Sequence, residues 1–91
     1  MDREQAEAIG LAALGFLAEE PQRLGRFLSL SGLDPGDLSA QAGEPYMQAA
    51  LLDHILCDET LLLVFTADKR IDPEHVGPAR ALLAGETGIE M

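Results

Sequence analysis

The chain has 91 residues, with 16 acidic and 6 basic side chains and a formal net charge of −10. This length suits a single domain, and 47 % hydrophobic residues are ordinary for a folded globular protein. The acidic balance excludes a basic nucleic-acid binder, since affinity for phosphate comes chiefly from Lys and Arg. No apolar run approaches the roughly 20 residues of a membrane span, so we expect no membrane partner.

Acid–proline pairs mark the predicted helix starts. Proline at the first helical position loses no hydrogen bond, and the acid before it faces the positive end of the helix dipole. The starts at Asp34 and Asp72 are the firmer ones, because Asp caps a helix better than Glu does. Both starts also have the spacing of a hydrophobic staple: Leu33 with Leu38, and Ile71 with Val76.

Glycines follow several of the segments that these prolines begin, as expected at helix ends. We therefore predict an all-α fold, a compact bundle of five to six short helices within a single domain at residues 1–85. Residues 86–91 are expected to form a mobile tail. The predicted helices cover residues 3–19, 21–31, 35–42, 45–57, 59–69 and 73–84. The count stays open because residues 45–69 fit either one bent helix or two helices separated at Asp58, which can act as a cap.

The apolar segment 60–66 fits either a buried strand or a helix by composition alone. No second strand is evident to satisfy its backbone groups, and Leu is a good helix former. We interpret the segment as helix. Since this helix is apolar on all sides, it should be the central and most buried one.

Only 4 % of the residues are aromatic, so the core must be built from Leu, Ile and Ala. We expect the first, fourth and fifth helices to supply most of it. A homodimer would be one way to enlarge so small a core. The predicted core residues are Ile9, Leu14, Leu17, Leu24, Phe27, Leu28, Leu52, Ile55, Leu56, Leu62, Phe65, Val76 and Leu83.

Five short motifs together resemble a known family. They are ALGFLA (13–18), LGRFL (24–28), SGLDP (31–35), LDHIL (52–56) and DETLLL (58–63). Over about residues 6 to 84 the chain is similar to the small bacterial family designated domain of unknown function 3572, found mainly in alphaproteobacteria. The resemblance implies a cytoplasmic, single-domain bacterial protein. It implies no activity and brings no catalytic residues.

The densest group of reactive side chains lies around His54, Cys57 and Asp58. On one helix, His54 shares a face with Cys57 and with Asp58, and this combination of donors is one that Zn²⁺ accepts. The simpler interpretation is that Cys57 packs as a small apolar residue and that Asp58 caps a helix. His54 and Asp58 would then be an ordinary charged pair on the helix surface. A Cys57–His54 nucleophilic pair lacks the orienting group and the oxyanion hole that such catalysis needs. We therefore assign no catalytic residue, no cofactor and no metal site, and keep these three residues as weak metal candidates.

Arg23 and Arg26 form a small basic helix face opposite the apolar face of the second helix. Glu19 and Glu20 lie beside them and neutralise the charge. The pair is better explained as a solvated helix surface than as a nucleic-acid site.

These observations favour a non-enzymatic protein-interaction or regulatory module. Its net charge would steer it towards a basic protein partner, although acids at helix starts explain part of the excess. The alternative is a small-ligand or metal-binding domain centred on His54 and Cys57.

The N-terminus has no basic region before an apolar stretch, so we expect no secretory signal. A lone cysteine also fits the reducing cytoplasm.

Overall fold

The computed structural model describes residues 1–85, which form six α-helices. The helices are α1 (Arg3–Ala18), α2 (Pro21–Ser31), α3 (Pro35–Gln41), α4 (Pro45–Leu56), α5 (Glu59–Lys69) and α6 (Pro73–Gly85). The all-α prediction is confirmed, and the segment that could have been a strand is helical. The chain breaks at Asp58, so residues 45–69 form two helices. The tail expected at residues 86–91 lies outside the described residues.

The helix starts are capped as the sequence indicates. Each predicted aspartate accepts a hydrogen bond from a backbone N–H of the first turn: Asp34 from Asp37 at 2.8 Å, Asp58 from Leu61 at 3.1 Å, and Asp72 from Glu74 at 2.9 Å. Glu20 and Glu44, by contrast, make no side-chain capping bond. This difference follows from the longer glutamate side chain, which is a poor cap.

The core lies between α1, α4 and α6, which make the most extensive contacts with one another. Helix α4 is the most buried of the six, with Leu51, Leu52 and Ile55 fully enclosed. The prediction that α5 is central was wrong, because only Phe65 and Thr66 of α5 are buried. Helix α6 takes the place expected for α5 and buries Val76, Ala79 and Leu83 against α1 and α4.

Small residues on α1 explain this arrangement. Ala6, Gly10 and Ala13 are buried on one face of the helix, so the backbones of its neighbours can approach closely. At Gly10 the approach is so close that an added Cβ would lie 2.8 Å from the Cβ of Gln48 on α4. Gln48 is only 2 % exposed, and its Nε2 donates to the Ala42 carbonyl at 3.4 Å. Helices α1, α4 and α6 thereby close the core and leave α5 packed on one side only.

The predicted core residues divide into two groups. Buried as predicted are Ile9, Leu17, Phe27, Leu52, Ile55, Phe65, Val76 and Leu83. The others are only partly buried and pack against the edge of the core: Leu14, Leu24, Leu28, Leu56 and Leu62. The sequence prediction missed Ala6, Ala13, Phe16, Leu38, Met47, Ala49, Leu51 and Ala79.

Candidate functional site

A partly open groove of about 580 Å³ runs between α2 and the junction of α4 with α5. Its walls are Gln22, Arg23, Arg26 and Leu30 of α2, and His54, Cys57, Asp58, Glu59 and Leu61 from the junction. The structure thus brings together the three residues that the sequence analysis singled out, His54, Cys57 and Asp58. It adds four residues of α2, which lie far from them in the sequence and which spacing could not connect to them: Gln22, Arg23, Arg26 and Leu30.

His54 lies in the last turn of α4 and is half-buried in the groove wall. Its ring packs edge-on against Phe27, with ring centroids 5.3 Å apart. Partial burial lowers the pKa of His54, and the positive charge of Arg26 lowers it further. Asp58 opposes this shift with a smaller effect that raises the pKa. The imidazole therefore favours its neutral form and behaves mainly as a packed ring.

Cys57 and Asp58 have structural roles at the helix junction. The Cys57 backbone N–H donates to the Asp53 carbonyl at 3.1 Å and ends α4, while the thiol is exposed. The carboxylate of Asp58 is engaged in capping α5. Across residues 1–85, no group of three or more His, Cys, Asp or Glu side chains is arranged to hold a metal ion. The donors that share a helix face in the sequence do not converge with a further ligand.

The two arginines of α2 differ in their surroundings. The Arg23 guanidinium lies 4.1 Å from the centre of the Phe16 ring, and its Nη1 donates to the Phe16 carbonyl at 3.4 Å. Arg23 therefore holds α2 against the C-terminal end of α1. Arg26 is exposed at the groove wall. The basic face predicted from the sequence is thus divided, and only Arg26 points its charge to the surface.

The outer face of α5 carries a mostly apolar stripe, called the apolar stripe below, which we define as Thr60, Leu63, Val64 and Ala67; Thr60 adds a hydroxyl group at its start. All four side chains are exposed, and they follow the i, i+3, i+4, i+7 spacing of one helix face. Leu63 is 51 % exposed and Val64 is 43 % exposed. This surface was not predicted from the sequence, because the apolar composition of α5 was interpreted as burial. The sequence did contain a signal for it. A helix that is apolar on all sides must either be covered by neighbours on all sides or leave one apolar face exposed to solvent.

A second concavity, of about 790 Å³, lies between the start of α1, the α5–α6 turn and α6. It contains none of the site residues considered from the sequence. Arg70 and His75 lie on its wall together with apolar side chains such as Ile9 and Pro78. Arg70 adopts a left-handed backbone conformation, with φ of 57°, where it ends α5.

None of the helices in residues 1–85 is both long enough and apolar enough to span a membrane. No curated protein and no solved structure is significantly similar to the chain. A family model described as "Protein of unknown function (DUF3572)" matches residues 3–86. This match covers nearly the whole chain, including all six helices, the groove and the apolar stripe. The chain therefore belongs to the DUF3572 family.

Proposed function

We propose that this protein is a non-enzymatic protein-interaction module and that the apolar stripe of α5 is its docking surface. The observation that carries the proposal is the adjacent exposure of Leu63 and Val64 on a helix whose opposite face is anchored in the core by Phe65. Two aliphatic neighbours on one well-supported helix face form a continuous patch, whereas scattered single exposed leucines are normal on protein surfaces.

Covering the apolar stripe with a partner would release enough free energy to contribute to binding. Full burial of a Leu or Val side chain is worth about 1.5–3 kcal/mol. Because Leu63 and Val64 are about half exposed, covering both would release roughly 1.5–3 kcal/mol. Helix α5 has 11 residues, a length of about 16 Å. A partner that covers these three turns and some adjoining surface would form a small, reversible interface.

The alternative function, a small-ligand or metal site at His54 and Cys57, has less support. Asp58 is engaged as a helix cap, and Arg23 is engaged with Phe16. The His54 ring packs edge-on against Phe27. Asp58, Arg23 and His54 therefore already have structural roles, from which a ligand would have to displace them.

The setting that we propose for this module is the bacterial cytoplasm. The exposed thiol of Cys57 suits a reducing compartment, where it stays free. The net charge of −10 keeps such a module soluble and favours proteins over nucleic acids as partners.

Site-specific photo-crosslinking in cells that express the chain natively tests the proposal. A benzophenone amino acid replaces Val64 in one variant and Ala81, an exposed residue of α6, in the control. We expect a discrete adduct from position 64, absent from position 81 and lost when Leu63→Gln is added. The Leu63→Gln change is on the surface and should alter stability by no more than about 0.5 kcal/mol. Equal labelling from both positions, or none from position 64, would contradict the proposal.

A further inference from the structure

We propose that the partner of the apolar stripe is an amphipathic helix with basic residues beside its apolar face. This inference rests on the proposed function and specifies the chemistry of the partner. It is carried by the combination of the exposed stripe with the distribution of charge around α5.

The geometry of the stripe suits a helix. Its four residues recur at the spacing by which one amphipathic helix packs along another, with anchors at i, i+3, i+4 and i+7. The apolar surface also continues sideways into the groove between α2 and α5. There Leu61, one turn before Val64, lines the groove together with Leu30, which is 69 % exposed. A helix lying on the stripe would therefore meet further apolar surface on one side.

Acidic residues flank the stripe on both sides. At about 100° per residue, Glu59 and Asp68 lie roughly 90° to either side of the centre of the stripe. Glu59 is at the N-terminal end of α5 and Asp68 is near its C-terminal end, and both are exposed. Basic residues on the partner at the corresponding flanks would face Glu59 on one side and Asp68 on the other, where Asp68 also lies 3.5 Å from Lys69 Nζ.

The charges on the rest of the surface also favour a basic partner. Three of the six basic side chains already contact carboxylates: Arg3 with Glu7, Lys69 with Glu19 and Asp68, and Arg80 with Asp53. The long-range field of the chain is therefore dominated by its acids, which steer a basic partner towards it. A second copy of this chain fits less well, because it has the same net charge of −10 and would repel the first.

A display library of helix-forming peptides tests this inference directly. Each peptide has about 14 residues, or four turns, with Leu or Ala at the anchor spacing and Lys, Gln or Glu at each flanking position. The library is selected in parallel on the full chain and on the Leu63→Gln/Val64→Gln double variant, after circular dichroism shows that both are folded. The double variant has the same net charge, so it removes peptides that bind by charge alone.

We expect enrichment of Lys at the flanks on the wild-type chain and no such enrichment on the double variant. A synthetic copy of a selected peptide should then lose at least about tenfold in affinity on the double variant. A similar loss is expected on Glu59→Gln/Asp68→Asn, which keeps the stripe and removes its flanking charge. The affinity for the wild-type chain should also decrease as salt is added.

Other outcomes would overturn the inference in distinguishable ways. Stripe-dependent peptides with Glu or Gln flanks would refute a basic partner and leave the docking surface in place. If every selected peptide binds the double variant as tightly as wild type, both the partner and the docking surface are refuted. A dimer in sedimentation equilibrium that dissociates in the double variant, with no peptide selected, would identify a second copy as the occupant. A monomer that selects no peptide would refute the helical partner, and the crosslinking experiment would then decide the proposed function alone.

Discussion

The substitution Gly10→Ala, which adds one methyl group, tests how closely α1 approaches α4. In an open helix position, Gly→Ala stabilises a protein by about 0.5–1 kcal/mol, because Gly loses more backbone entropy on folding. At Gly10 the new Cβ would lie 2.8 Å from Gln48 Cβ and 3.1 Å from its Cγ. The Cβ of Gln48 is fixed to the backbone and cannot rotate away, so the two helices must separate.

The expected magnitude follows from these two opposing effects. Forcing an extra carbon into a packed site costs about 1–3 kcal/mol, which exceeds the helix-propensity gain. We expect Gly10→Ala to lower the free energy of unfolding by about 1–2 kcal/mol. Gly15 is the matched control, because it lies in the same helix and an added Cβ there meets nothing within 4 Å. Gly15→Ala should raise the free energy of unfolding by about 0.5–1 kcal/mol.

Urea unfolding followed by circular dichroism gives both values on the same scale, provided the urea dependence (the m-value) is the same for all variants. Repeating the substitution in a Gln48→Gly variant isolates the contact between positions 10 and 48. The opposing Cβ is absent from that variant, so Gly10→Ala should stabilise it as much as Gly15→Ala stabilises the wild-type chain. If Gly10→Ala stabilises the wild-type chain as much as Gly15→Ala does, the close approach of α1 and α4 is wrong.

Two further predictions concern the helix caps and the groove. Asp34→Ala and Asp72→Ala should each cost about 1 kcal/mol in urea unfolding, whereas Asn at either position should retain most of the stability; Ala variants as stable as wild type would contradict the caps. The His54 ring, followed by NMR as pH is varied, should titrate below its ordinary pKa, and Arg26→Gln should raise that pKa. Because the folded-state pKa is lower than the unfolded one, the contribution of His54 to stability is complete above about pH 6.5 and declines as pH falls through the folded pKa. Wild type should therefore lose more stability than His54→Gln when the pH is lowered from about 7.5 to about 5.5. Equal losses in the two proteins would refute the conclusion that burial lowers the pKa of His54.

Helix α5 is the element for which local sequence and tertiary structure disagree most. The Asp58 cap indicated a helix over residues 59–69, with one bent helix over 45–69 as the alternative, and the structure has the separate helix Glu59–Lys69. Its position was predicted wrongly, because apolar composition on all sides was taken to mean burial on all sides. Composition measures how much surface a helix offers for burial, but the number of neighbours decides how much is covered. The exposed half of α5 is the surface on which the proposed function depends.

The candidate groove shows a similar division. The spacing of His54, Cys57 and Asp58 was enough to place them near one another at a helix end. Spacing could not show that Arg26 of α2 comes close enough to lower the pKa of His54. That effect requires α2 to fold across the α4–α5 junction, a contact between segments far apart in the chain. The cation–π contact of Arg23 with Phe16 likewise depends on how two helices cross.

Capping aspartates, prolines and helix-ending glycines indicated most of the helix boundaries from the sequence, because they act on backbone groups within a few residues. Whether residues 45–69 form one helix or two was left open. Tertiary structure alone decided which helices form the core. Alanine and glycine give a weak hydrophobic signal, so the face of α1 that contains Ala6, Gly10 and Ala13 did not stand out among the leucines. That face nevertheless lets α4 and α6 approach closely, and the resulting three-helix core leaves one side of α5 uncovered. Close packing depends on the shapes of facing surfaces, which are formed only when distant segments meet.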